Sequence, residues 1–334
     1  MSISVLGAGS WGSALAIAMS HADSIKLWSR DQDQVSQINQ ERINPGYLTD
    51  SIKIPMNVLA TSDLSDALLA DLLIIATPTN TIRSILTKIR QILPNCLPDI
   101  IWVSKGFEID SGLLPHQIVQ DVCPDIKNIG ALLGPSFAKE VAMGLPTAIT
   151  LASQELDFAL KWVQKLKHIP NFRIYANTDL TGSEVGAGVK NIMAIAVGIS
   201  DGLNLGYNAR AALITRSLNE LGQLVILMGG RPETIYGLTG IGDLILTCTG
   251  DLSRNRTVGL ELAKGNDIDS ILINLGHVAE GVNAAKEVYK LSKKLKVEMP
   301  IVEAVYKIIF ESADLSSTVI SLLKREPKLE FESK

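Results

Sequence analysis

Ile3-Ser4-Val5-Leu6-Gly7-Ala8-Gly9-Ser10-Trp11-Gly12 opens the chain with a short β-branched run and three spaced glycines, and the small apolar run Ala14-Leu15-Ala16-Ile17-Ala18 follows. The order is strand, G-x-G-x-x-G, helix. Gly7 permits the tight turn, Gly9 lets a pyrophosphate approach the backbone, and Gly12 lets the helix lie close on the strand, with the helix N-terminus facing the phosphates. A glycine pattern alone is weak evidence, but one held between a strand and a helix predicts a dinucleotide-binding unit of the doubly wound α/β class.

The next strand, Ser24 to Ser29, ends at Arg30. An acid at that position would bind the ribose 2'-hydroxyl of NAD, whereas an arginine accommodates the 2'-phosphate of NADP. Arg30 therefore points to NADPH; the competing reading is a solvated strand-end cation. Because Asp31 follows and would repel that phosphate, NADH is expected to be accepted as well. Beyond a helical stretch from Asp33 to Ile43 and the loop Asn44-Pro45-Gly46-Tyr47, strands are expected at Val58 to Ala60, Leu72 to Ala76, Ile100 to Val103 and Ile129 to Leu133. Leu72-Leu73-Ile74-Ile75-Ala76 is apolar on both faces, as the interior of a parallel sheet requires. Its successor Thr77-Pro78-Thr79-Asn80, the pair Lys105-Gly106, and Gly134-Pro135-Ser136-Phe137-Ala138-Lys139-Glu140 then emerge at one sheet edge, where doubly wound sheets bind ligands. Thr147 to Leu151 and Phe172 to Tyr175 flank a helix over Glu155 to Leu166 and end the sheet. From Asp179 onward helical patterns dominate, so residues 1–177 read as a Rossmann-like domain and 178–334 as an all-α substrate and catalytic domain.

Within the second half, Gly182-Ser183-Glu184-Val185-Gly186-Ala187-Gly188-Val189-Lys190-Asn191-Ile192-Met193-Ala194-Ile195-Ala196-Val197-Gly198 carries one cation, Lys190. The near-continuous apolar run after it predicts a helix buried on all faces. A lysine there must reach a partner or a polar cavity. Burial also lowers its pKa toward the range useful for proton transfer. A lysine that snorkels to the surface from a helix end is the other reading. Gly202 to Tyr207, Gly229 to Pro232 and the long stretch from Gly237 to Arg256 read as loops, the last of them functional.

Hydrophobic residues make up 46% of the 334 and charged residues 20%, enough for large cores, and disorder is not expected. A net charge of -4 with no basic run argues against nucleic acid as a partner. Cys96, Cys123 and Cys248 are widely separated and lack metal spacing, so no metal site is expected and a reducing cytoplasm is. The N-terminus lacks a signal-peptide pattern, and Val185 to Ile199 is shorter than the roughly 20 apolar residues of a membrane span, so no membrane insertion is expected.

The polar residues gathered on the expected ligand loops are Lys105, Ser136, Lys190, Asp243, Ser253, Arg254 and Asn255, in which cations outnumber acids. Such a set suits a phosphorylated small molecule, Arg254 offering a planar fork to phosphate and Ser253 and Asn255 adding hydrogen bonds. His21, His116, His168 and His277 lie outside these loops, and the serine-nucleophile elbow is missing.

From Val5 to about Phe310 the chain resembles the bacterial type of NAD(P)-dependent glycerol-3-phosphate dehydrogenase. The resemblance lies in Gly7-Ala8-Gly9-Ser10-Trp11-Gly12, Ser104-Lys105-Gly106, Gly134-Pro135-Ser136-Phe137-Ala138, Val189-Lys190-Asn191, Asn208-Ala209-Arg210-Ala211-Ala212, Gly240-Ile241-Gly242-Asp243-Leu244, Ser253-Arg254-Asn255-Arg256 and Glu280-Gly281-Val282. It implies hydride transfer between NADPH (or NADH) and dihydroxyacetone phosphate, giving sn-glycerol 3-phosphate for phospholipid synthesis, by a cytoplasmic enzyme for which a homodimer is the family expectation. Lys190 corresponds to the family's proton-transfer lysine. Lys105, Gly134, Ser136, Asp243, Ser253, Arg254 and Asn255 correspond to its substrate contacts, and Ser10, Trp11, Arg30, Lys105, Ala138, Arg254, Val278 and Glu280 to its cofactor contacts. The chain departs from the family in Ala187-Gly188 before the lysine and in Gly276-His277-Val278-Ala279-Glu280. Dehydrogenases of the β-hydroxyacid and 6-phosphogluconate type also place a lysine on a buried helix, with an asparagine four residues later; here Ala194 stands at that place. A dinucleotide-binding regulator without turnover is the rival from another class, and it would need neither Lys190 nor the Ser253-Arg254-Asn255 set.

Overall fold

The computed structural model describes residues 1–21, 24–276 and 279–323. Strand β1 (Ile3–Leu6) leads into helix α1 (Ser10–Met19), and the alternation continues through β2 (Ile25–Trp28), α2 (Gln32–Glu41), β3 (Val58–Thr61), α3 (Leu64–Ala67), β4 (Leu72–Ile75), α4 (Ile82–Ile92), β5 (Asp99–Trp102), α5 (Pro115–Val122), β6 (Ile129–Leu133), α6 (Ala138–Ala142), β7 (Thr147–Ala152), α7 (Leu156–Leu166) and β8 (Phe172–Asn177). Together the strands form one sheet in the order β3-β2-β1-β4-β5-β6-β7-β8. Pairing is parallel from β3 through β6, antiparallel between β6 and β7, and parallel again between β7 and β8. The strand order reverses direction between β1 and β4, and that crevice is where a doubly wound sheet opens to a ligand. Strands β1, β4, β5 and β6 are fully buried, which explains sequences whose only polar residues are Ser4 and Asp99.

After the sheet the chain is helical: α8 (Leu180–Gly202), α9 (Gly206–Leu227), a π-type turn Leu238–Gly242, α10 (Asp243–Thr249), α11 (Arg254–Ala263), α12 (Ile268–Leu275), α13 (Glu280–Leu295), α14 (Pro300–Phe310) and α15 (Leu315–Leu323). Asp179 starts α8: one carboxylate oxygen accepts from Gly182 N at 2.8 Å, and the other from Arg231 N at 2.8 Å and Thr234 Oγ1 at 2.6 Å. A cap of this kind contributes about 1 kcal/mol. Every residue of α8 from Gly182 to Ser200 is buried, as the apolar sequence predicts. Its glycines make this burial workable. A Cβ on Gly186 would stand 2.4 Å from the Thr239 carbonyl oxygen, and one on Gly198 would stand 2.2 Å from that of Arg256. Backbone from the π-type turn and from α11 thus lies directly on the helix that carries Lys190.

Two expectations change. Of Gly202 to Tyr207, read as a loop, Gly202 belongs to α8 and Gly206 and Tyr207 to α9, and Gly237 to Arg256 is a π-type turn followed by α10 and the start of α11. Glycines cluster in the turn, but the heptapeptide after it places Leu244 and Cys248 one helical turn apart, buried in the same core as Ile192 and Ile195 of α8. Among the described residues no helix is long and apolar enough to cross a membrane, and no group of acidic, histidine or cysteine side chains could hold a metal ion.

Candidate active site

The first part of the site is the glycine turn. Gly7 has φ +120°, which excludes an ordinary L side chain, and a Cβ on Gly12 would fall 1.9 Å from the Gly7 carbonyl oxygen. Nothing lies within 4 Å of where a Cβ on Gly9 would be, so that backbone faces open space at the start of α1. Ala138 and Trp11 both pack against the N-terminal core, and α6 lies against α1. The indole Nε1 of Trp11 and the hydroxyls of Thr77 and Thr79 are buried and without a protein partner. Polar atoms left in that state around the open end of the sheet fit a polar ligand such as a dinucleotide. Arg30 is exposed beyond β2. Asp31 is not aimed at a ligand: it caps α2, accepting from Asp33 N at 3.0 Å and Gln34 N at 3.2 Å.

The second part lies where α8 meets the loops after β5 and β6. Lys190 is buried and does not snorkel; its Nζ donates to Asp243 Oδ1 at 2.5 Å and to Thr247 Oγ1 at 2.7 Å. Asp243, buried at the start of α10, accepts through its other oxygen from Lys105 Nζ at 2.8 Å. Lys105 Nζ also donates to the Gly134 carbonyl at 2.8 Å, which takes a second hydrogen bond from Ser136 Oγ at 3.0 Å. One carboxylate thus faces two ammonium groups. Burial lowers the Lys190 pKa to about 8, opposed by the charge of Asp243 and assisted by that of Lys105. Burial also pushes the Glu280 carboxyl up to about 7, against the pull of Arg254, Lys105 and Lys190. Glu280 opens α13 and lines a cleft with Pro78, Thr79, Asn80, Lys105 and Gly106.

The site thus has two parts, a glycine turn at the end of β1 and a buried lysine held by an aspartate. Residues 2–159 match the family model described as the NAD-dependent glycerol-3-phosphate dehydrogenase N-terminus, and residues 179–320 match the model of its C-terminus. The chain belongs to the NAD-dependent glycerol-3-phosphate dehydrogenase family. It is 47% identical over 332 residues to the glycerol-3-phosphate dehydrogenase [NAD(P)+] of Aromatoleum aromaticum, covering 99% of this chain and 100% of that one. Against the enzyme of the same name from Thiobacillus denitrificans the identity is 48% over 332 residues, with the same coverage. The crystal structure of glycerol-3-phosphate dehydrogenase from Coxiella burnetii superposes with a TM-score of 0.92 at 39% identity, covering 97% of this chain and 99% of that one.

Within this glycerol-3-phosphate dehydrogenase fold, the side chains expected to bind phosphate sit at the start of α11. Ser253 caps the helix, its Oγ accepting from Arg256 N at 3.2 Å. Asn255 Nδ2 donates to Asn191 Oδ1 at 3.0 Å and its Oδ1 accepts from Gly281 N at 3.0 Å, so its amide joins α8, α11 and α13. Arg254 is exposed. The N-terminus of α11 holds it outside the packed face formed by Val258 and Gly259. Val278 lies outside the described residues. Sequence reasoning passed over Thr247, whose place four residues after Asp243 on one helix was the available signal. It also missed Glu184 on α8, whose carboxylate accepts from Trp102 Nε1 at 2.9 Å and from His116 N at 3.0 Å and pairs with the His116 ring.

Proposed function

We propose that this glycerol-3-phosphate dehydrogenase interconverts dihydroxyacetone phosphate and sn-glycerol 3-phosphate using NADPH, with NADH also accepted, and that Lys190 is its proton donor and acceptor. The observation that carries the reading is the Lys190-Asp243-Lys105 chain, in which Lys190 and Asp243 are buried. Gly7, Gly9, Ser10, Trp11, Gly12, Arg30, Ala138, Lys105, Arg254 and Glu280 would hold the dinucleotide, which supplies the hydride when bound. Lys190 would give its proton to the oxygen that becomes an alkoxide when the carbonyl is reduced, and would take it back in the reverse direction. Asp243 keeps that ammonium aimed and charged despite its burial, and Thr247 fixes its remaining freedom. Lys105, attached to the same carboxylate, adds positive charge where negative charge develops. Ser253, Arg254 and Asn255, with Ser136 and the Gly134 carbonyl, would receive the glycerol phosphate portion.

In this reading the product supplies phospholipid synthesis, and the enzyme is a cytoplasmic homodimer; sedimentation of the purified protein tests the last point. The deciding assay follows NADPH oxidation by absorbance with dihydroxyacetone phosphate, with the keto product of 6-phosphogluconate, and with neither. Oxidation with the first substrate alone supports the reading. Oxidation with the second alone assigns the chain to the rival dehydrogenase type, and none with either leaves a dinucleotide-binding regulator.

A further inference from the structure

Asp201 stands in the last turn of α8 and Arg256 in the first turn of α11. Each occupies the electrostatically unfavourable end of its helix, a carboxylate among exposed carbonyls and a guanidinium among exposed N–H groups. Pairing them offsets both penalties. Asp201 Oδ2 accepts from Arg256 Nε at 2.9 Å and faces Arg256 Nη2 at 2.8 Å, while Oδ1 accepts from Arg210 Nε at 2.7 Å. Arg256 Nη1 reaches on to Asp251 Oδ1 at 3.1 Å, so its guanidinium closes a bracket around Ser253, Arg254 and Asn255. Arg210 is the cation of the Asn208-Ala209-Arg210-Ala211-Ala212 motif, which the catalytic assignment leaves without a role, and its guanidinium lies 5.3 Å from the Tyr207 ring centroid. The side chains of Asp201 and Arg256 are only 8% and 13% exposed, which shields the pair from the screening that weakens surface salt bridges. Underneath them the Gly198 contact presses α11 onto α8. Along α8, Asp201 is displaced from Lys190 by about three full turns, roughly 16 Å, on the same helical face.

We propose that Asp201 is a positioning residue for substrate phosphate: by gripping Arg256 and Arg210 it fixes the start of α11, and hence Arg254, at a set distance from Lys190. Arg254 is exposed and reaches ligand only if its helix terminus is held. The inference rests on the assignment of Arg254 to the phosphate.

Steady-state kinetics of the full-length enzyme on dihydroxyacetone phosphate and on unphosphorylated dihydroxyacetone test it. Asp201→Asn should lower kcat/KM on the phosphorylated substrate by about 10- to 100-fold, with less than about a threefold change on dihydroxyacetone. Asp201→Glu should recover part of the loss. In an Arg254→Ala background, Asp201→Asn should add little, because the cation being positioned is already gone. Equal losses on both substrates, or full additivity with Arg254→Ala, would overturn the inference and leave Asp201 as a general support of the fold. If Arg254→Ala alone affects both substrates equally, the phosphate assignment falls and the inference falls with it. If Arg254→Ala is selective and Asp201→Asn is not, the positioning role alone fails. Should Asp201→Asn not be recovered folded, Arg256→Lys keeps the charge but loses the two-point grip, and the same substrate comparison decides.

Discussion

Around Lys190 the charged groups are already matched, the ammonium to Asp243 and Thr247 and the carboxylate to Lys105, whereas at the rim Arg254 and Arg30 face solvent. The difference follows from the cost of burial. An ammonium held in a dry interior without a partner is penalised by several kcal/mol, so a proton-transfer centre has to satisfy itself before any ligand arrives. An arginine at the surface is hydrated at no such cost and can exchange water for phosphate on binding. The chemistry is therefore prebuilt, and recognition is completed by the ligand. Disturbing the centre should stop turnover with the ligands still bound, and disturbing the rim should alter selectivity while the chemistry survives.

The largest effect is expected at the centre. Lys190→Ala should lower kcat by about 10²- to 10⁴-fold, the range of a lost general acid, with NADPH affinity, read from its fluorescence, changed little. A variant turning over at near wild-type rate would reduce Lys190 to a structural residue and erase the contrast. At the rim, Arg254→Lys should cost about 10- to 1,000-fold in kcat/KM on dihydroxyacetone phosphate, because an ammonium cannot reproduce two parallel hydrogen bonds. Dihydroxyacetone should be a poor substrate of the wild type and hardly poorer for Arg254→Ala. Equal loss on both would move Arg254 to the cofactor side.

A pH profile probes the centre without mutation. With its pKa lowered by burial to about 8, Lys190 is mostly protonated at pH 7 and loses its proton as the pH rises through that value. Carbonyl reduction needs the ammonium, so its rate should fall about tenfold per pH unit well above 8. Alcohol oxidation needs the neutral amine and should rise over the same interval and then level off. If both directions moved together, a group other than Lys190 would control the proton.

How much of this was legible depended on range. The glycine turn, the four buried parallel strands and the all-round burial of α8 are local patterns, and each stands where its residues predicted. Asp243 to Thr249 was hidden because a two-turn helix is too short to show a period, and the glycines of the turn before it imitate a loop. Asp31 carried the N-cap signature of an acid before a helix, but its place next to Arg30 made it look like part of the ribose site. The union of Glu184 with His116 and Trp102 joins residues distant in sequence, and no local pattern announces it. Lys190 was legible as an anomaly. The partner the structure gives it, Asp243, is the sole acid among the gathered loop residues.

The smallest expected effect lies at Arg30, the outermost cation. Its side chain is exposed, so a hydrogen bond to the 2'-phosphate of NADPH forms in competition with water and contributes near the lower end of the range for charged partners, about 1.5 kcal/mol or roughly tenfold in affinity. NADH has no such phosphate and should bind Arg30→Ala within about twofold of wild type. Asp31 should not cancel this preference, since its carboxylate is already engaged by the first N–H groups of α2. The two cofactors, titrated against the variant by fluorescence at low and high salt, make the distinction: the NADPH loss should shrink as salt screens the wild-type contact, while the NADH curves stay together. An equal loss for both cofactors would mean that Arg30 supports the shape of the adenosine site, and the rim would then be more prebuilt than its exposed arginines indicate.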